Sequence, residues 1–178
     1  GMTADLGKYT DLHIFAKAHP DRYYQMGMAE QLLLAAAAGM AHEGFIPFAT
    51  TYAVFATRRA YDFMHQAISE EGLPVKIVVA LPGLTTGYGP SHQAAEDLAL
   101  MRAMPGMTVI DPCDALEIAS VRSPVARRGD AQPEPGRKAG EKLLEVLDGG
   151  DAAPAVHRQC DLVAAPLEYP TRRRLEPC

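Results

Sequence analysis

Eleven consecutive residues, Ala29 to Gly39, contain two polar side chains, and these two, Glu30 and Gln31, stand together at the start. The rest is Leu32-Leu33-Leu34, Ala35 to Ala38 and a glycine. Wound into a helix, the segment is apolar nearly all round, so it belongs inside a layered fold. A carboxylate in the first turn of such a helix has two possible uses. It is satisfied locally by the free N–H groups of the helix start, or it is kept from water because chemistry needs it there.

The flanking sequence fixes the layers. Val75-Lys76-Ile77-Val78-Val79-Ala80-Leu81 is a β-branched run with one charge near its edge, which fits a parallel strand covered on both faces. Arg22 to Gln25, Phe45 to Thr51 and Met107 to Ile110 read as further strands. Helices are expected near Asp11 to Ala18, from Ala53 to Ser69, from Ala94 to Met104, and from Cys113 onward with Asp114 as the cap. Strand and helix alternate, which predicts an α/β fold, a three-layer α/β/α arrangement with a mostly parallel sheet, over residues 1–120.

Residues 121–178 break the pattern. They carry seven of the 14 prolines and ten of the 17 Lys and Arg, but one of the 12 Phe and Tyr, Tyr169, so no independent core is expected there. Lys138 to Leu147 reads as one helix, and Arg172-Arg173-Arg174 as a solvated cluster. The β-branched strand signals stop at Val121.

Composition excludes several classes. A net charge of −5 argues against nucleic acid as a partner. No apolar run approaches the ~20 residues a membrane span needs, and no basic stretch precedes an apolar one as in a secretory leader. Cys113, Cys160 and Cys178 lie far apart and read as reduced thiols, which points to the cytoplasm.

The polar and aromatic residues that could carry chemistry sit where strands end. Tyr52 and Phe55, with Arg58 or Arg59, open the second long helix. At helical spacing the two rings are either core aromatics or a wall for a flat ligand. Pro82 to Pro90 is a glycine-rich loop after a strand, followed by Ser91-His92-Gln93 and Glu96-Asp97. His92 either caps the next helix or works on a substrate, since a histidine can exchange a proton near neutral pH. Asp5, just before the turn at Gly7, is a candidate cap.

Five separated motifs then occur in one order: ADL at Ala4 to Leu6, MGMAEQ ending at Gln31, TTYAVFATRRAYD from Thr50 to Asp62, the glycine loop with SHQ and ED, and PGMTVIDPCDA from Pro105 to Ala115. Together, over Thr3 to Ala119, they resemble the pyrimidine-binding domain of the transketolase family, and within it the C-terminal subunit of split transketolases. The resemblance implies that Glu30 hydrogen-bonds the aminopyrimidine ring of thiamine diphosphate. It implies that Tyr52 and Phe55 form the ring's pocket, that Asp5 and Arg58 lie at the cofactor, and that His92 faces the substrate. It also implies a homodimer and a separate N-terminal transketolase subunit that holds the diphosphate and Mg²⁺. The reaction would be transfer of a two-carbon ketol unit between sugars or sugar phosphates.

Two positions depart from the family. A histidine expected at the strand end is replaced in the Leu81-Pro82 region, and an acidic residue four positions before His92 is replaced by Tyr88. Three alternatives stay open: a deoxyxylulose-phosphate-synthase-like enzyme, a 2-oxo-acid-decarboxylating relative, or a catalytically silent assembly domain of the same fold.

Overall fold

The computed structural model describes residues 1–120 and the strand Leu162–Pro166. The elements in order are β1 (Met2–Thr3), α1 (Leu12–Ala18), a 3-10 turn at Pro20–Arg22, β2 (Tyr24–Gln25), α2 (Glu30–His42), β3 (Phe48–Tyr52), α3 (Ala53–Arg59) and α4 (Tyr61–Met64). A π-helical turn (His65–Ser69) continues α4. There follow β4 (Lys76–Ala80), a 3-10 turn at Pro90–His92, α5 (Asp97–Ala103), β5 (Met107–Ile110), a helix over 115–120 (α6), and β6 (Leu162–Pro166).

The sheet runs β2-β1-β3-β4-β6-β5. Pairs β1–β2, β1–β3 and β3–β4 are parallel, and β6 lies antiparallel between β4 and β5. Helices flank the sheet, as the alternation predicts. The two faces can be read from β4. Ile77 and Val79 join the large core with Leu33, Leu34, Val54, Met64 and Met101, whereas Val78 packs on the opposite face with Leu12, Phe15 and Phe48. A strand apolar on both faces is the reason for its unbroken Val and Ile content. Lys76, its one charge, is fully buried.

Three local features differ from expectation. The helix expected over Ala53 to Ser69 is interrupted at Ala60, where the backbone leaves helical geometry (φ −121°, ψ 17°), and its end is wound as a π turn. Helix α2 is buried along one face only: Leu33, Leu34, Ala37, Ala38 and Ala41 point inward, while Gln31, Leu32 and Gly39 are exposed. Its uniform apolar composition gives no moment that could have marked the outer side. The end of strand signals at Val121 missed β6, whose single β-branched residue, Val163, leaves pairing rather than propensity to define it. The helix expected over Lys138 to Leu147 and the arginine cluster lie outside the described residues. Asp114 does cap α6: its Oδ1 accepts the N–H groups of Leu116 and Glu117, and Glu117 reaches back to the Cys113 N–H.

Candidate active site

The carboxyl ends of β1, β3 and β4 and the start of α2 supply the residues with chemical potential. Gly27 enters α2 with φ 73°, a left-handed turn that an L side chain resists, and its carbonyl accepts the Ala29 N–H. Glu30 follows as the first helical residue and is 2% exposed. No side chain caps α2.

The bonds described for the Glu30 carboxylate come from Arg59, not from the helix start. Arg59 Nη1 donates to Oε1 at 3.0 Å and to Oε2 at 3.2 Å. A charged acceptor with so little water needs such a partner. Arg59 itself remains about half exposed, and its guanidinium carbon lies 4.0 Å from the centre of the Phe55 ring. The two residues are four apart on α3, the spacing that stacks side chains along a helix.

Phe55 belongs to an aromatic wall. Its ring stacks on Tyr52 at 5.7 Å and meets the edge of His92 at 5.2 Å. His92 is also 6.4 Å from Tyr52 and 5.3 Å from Tyr88. Burial pushes the Tyr52 hydroxyl above its usual pKa, and the phenols of Tyr88 and Tyr9 push it the same way, so it persists as a donor. His92 does not cap a helix. It ends the 3-10 turn that follows Gly89 (φ 82°), with Nδ1 2.9 Å from Ser91 Oγ.

The loop that carries His92 is held from below. Asp97 is 3% exposed; its Oδ2 accepts the Gly83 N–H at 3.1 Å and its Oδ1 the Leu98 N–H at 2.7 Å. Leu81, at the end of β4, holds a left-handed φ of 59° although it is not glycine, a conformation that costs energy and collects at functional strand ends.

The sequence-based expectations therefore separate. Glu30, Tyr52, Phe55 and His92 are joined by a continuous series of contacts through Arg59. Arg58 points elsewhere: it pairs with Glu96 and reaches the Pro90 carbonyl, so it braces the histidine turn. Asp5 caps no helix. It is exposed with φ 61° and forms a reciprocal pair with Gln25, its N–H donating to Oε1 at 2.7 Å and its Oδ1 accepting from Nε2 at 3.2 Å. From the sequence Arg59 stands only as the alternative to Arg58, and Asp97 only as part of the ED pair after His92. The position of Arg59 one helical turn after Phe55 is the signal that marks it, whereas nothing local to Asp97 announces its bond to a residue 14 positions earlier.

Within this chain, residues 1–133 match the family profile described as transketolase, pyrimidine binding domain. An uncharacterised transketolase family protein of Sinorhizobium fredii is 72% identical over 118 residues, which are 66% of this chain and 34% of that protein. A Methanocaldococcus jannaschii protein named as a transketolase C-terminal section is 40% identical over 126 residues, 70% of this chain and 40% of that one. A 1-deoxy-D-xylulose-5-phosphate synthase of Synechococcus is 40% identical over 118 residues, covering 66% of this chain and 18% of the synthase. Among solved structures, one titled as a split gene transketolase, an inactive beta4 tetramer, superposes with a TM-score of 0.58 at 42% identity, over 70% of this chain and 40% of that one. The chain thus spans well under half the length of these relatives.

Proposed function

The chain belongs to the transketolase family through its pyrimidine-binding domain, and from that premise we propose that it forms the pyrimidine-side half of a thiamine diphosphate site. One observation carries the reading. A nearly dry carboxylate, Glu30, is linked through Arg59 to a wall of flat rings, Phe55, Tyr52 and His92. That set fits an aminopyrimidine, whose amino group donates, whose ring nitrogen donates once it carries a proton, and whose face can stack.

Each residue then has a task. Glu30 accepts a hydrogen bond from the ring nitrogen in its protonated form, favours the imino tautomer and orients the ring. Phe55 and Tyr52 cover its face and exclude water. His92, at the open side of the wall, holds or moves a proton at a substrate hydroxyl. Thiamine diphosphate, when bound, supplies a nucleophilic carbon that carries a two-carbon ketol unit. The diphosphate and Mg²⁺ are assigned to a separate N-terminal subunit, pairs of this chain associate, and sugars or sugar phosphates are the substrates. The Leu81-Pro82 region and Tyr88 stand where the resembling family has polar groups that contact the sugar donor, which points to a substrate other than an ordinary ketose phosphate or to a degenerate site.

Calorimetry with thiamine diphosphate and Mg²⁺, on this chain alone and mixed with its N-terminal subunit, tests the reading. Binding in the mixture that Glu30→Ala abolishes is the expected result. No binding in a mixture whose chains demonstrably associate would leave an assembly domain without a cofactor. The likeness to the synthase supports a second reaction type; assaying the mixture for ketol transfer against 2-oxo-acid decarboxylation separates the two.

A further inference from the structure

We propose that the Arg59 side chain occupies the place of the aminopyrimidine ring and must be displaced before that ring can bind. The inference rests on the pyrimidine-site reading and adds to it a resident competitor built into the chain. Three observations coincide on one group. The guanidinium is flat, and it lies 4.0 Å over Phe55, at stacking distance. It gives N–H bonds to both oxygens of Glu30, the acceptor assigned to the ring. Its side chain is 48% exposed while that of Glu30 is 2% exposed, so the arginine is the part free to swing outward, and the carboxylate is not.

A flat donor stacked on Phe55 and bonded to Glu30 presents the same contacts an aminopyrimidine would present. A ring seated there competes with the guanidinium for the same ring face and the same carboxylate. Arg59 therefore keeps the buried charge partnered when no ring is present, and releases it when one arrives. The apparent affinity for the ring is reduced by the fraction of molecules in which Arg59 is seated. Arg58, although adjacent, is committed to Glu96 and cannot substitute.

The test uses the full chain, with thiamine as the probe, in wild type, Arg59→Ala, Arg59→Gln and Glu30→Gln. Arg59→Ala is expected to bind thiamine about tenfold more tightly than wild type, because the seated state is gone. Methylguanidinium should cancel that gain by refilling the vacated place, and should have little effect on wild type. Arg59→Gln keeps a planar N–H donor beside Glu30 and covers the case in which Arg59→Ala does not fold; its gain should be smaller but still removed by methylguanidinium. A purely structural arginine would give no such competition. If wild type binds thiamine in a Glu30-dependent way and neither Arg59 variant binds more tightly, or methylguanidinium does not compete, this inference alone is overturned. If thiamine binding in every folded variant ignores Glu30→Gln, the pyrimidine-site reading fails and this one with it.

Discussion

Arg58 and Glu96, 38 residues apart, join α3 to the segment that follows His92: Arg58 Nη2 donates to Glu96 Oε2 at 2.9 Å while Nε donates to Oε1. Arg58 also reaches the Pro90 carbonyl at 3.4 Å, the first residue of the histidine turn. A paired fork of this kind fixes direction as well as distance.

Because both partners are well exposed, the clamp should matter more to the position of His92 than to global stability. Arg58→Ala is expected to raise amide exchange at Ser91, His92 and Gln93 with little change in the unfolding midpoint. The hydrogen bond from Arg58, with its charge, holds the Glu96 carboxyl below the usual glutamate pKa. A lowered folded-state pKa means the contribution is complete above the ordinary glutamate value and is lost as pH falls through the depressed one. Protection of the turn amides, taken relative to their intrinsic exchange, should therefore be flat through neutral pH and fall only in acid below the ordinary range. The Arg58→Ala variant should lack that acid step.

Asp97 makes a second tie, this one buried. Replacing it by Ala leaves the Gly83 and Leu98 N–H groups without their acceptor, at a cost of about 1–3 kcal/mol for each that water cannot reach. Asp97→Ala is expected to lower the unfolding free energy by an amount in that range, seen as a lower denaturant midpoint at unchanged slope, and to expose the Gly83 amide to exchange. Asp97→Asn, which keeps one oxygen, should retain one of the two bonds and lose less. An Asp97→Ala protein with unaltered stability would show that the loop holds itself.

These ties also show what a sequence can and cannot announce. The apolar run of β4, the glycine before α2 and the aromatic pair opening α3 each have a local cause, and their places in the fold were legible from it. Arg58 and Arg59 are neighbours with the same chemistry. Which one meets Glu30 and which meets Glu96 depends on the direction each takes around α3 and on carboxylates 29 and 38 residues away. The sequence offers Arg58 or Arg59 at this place; in the structure Arg59 meets Glu30 and Arg58 meets Glu96. Asp5 pairs with Gln25 because β1 and β2 lie side by side, a tertiary fact that its own segment does not announce. Strand β6 is the clearest case, since a run with one β-branched residue becomes a strand only through the two neighbours it joins.

Thr51 offers a test of the wall's support. Its residue is 1% exposed, and its Oγ1 is the one buried side-chain polar atom without a hydrogen-bond partner among the described residues. An unpaired buried hydroxyl costs on the order of 1 kcal/mol or more. Thr51→Val keeps the β-branched shape and removes the hydroxyl, so it should raise stability by about 1 kcal/mol in chemical denaturation. Thiamine binding should not change, since the adjacent Tyr52, not Thr51, carries the ring contacts. A loss of stability would mean that the hydroxyl has found a partner in solution.

The position of β6 makes the last expectation. β5 reaches the rest of the sheet only through β6, whose Ala164 stands opposite both Ile77 of β4 and Val109 of β5. A proline in such a central strand removes a ladder donor and is tolerated at edges, not between two neighbours. Ala164→Pro should therefore increase amide exchange at Ile77 to Val79 and at Met107 to Ile110. The parallel pairs of β1 with β2 and β3 lie on the far side of the sheet and should keep their protection. Fluorinated or isotopic labels are not needed; exchange followed by peptide mass analysis resolves the three regions. Equal protection in variant and wild type would place residues 162–166 outside the sheet and leave β4 as its edge. Loss confined to β4 and β5 would establish that Leu162–Pro166 completes the sheet on which the candidate site is built.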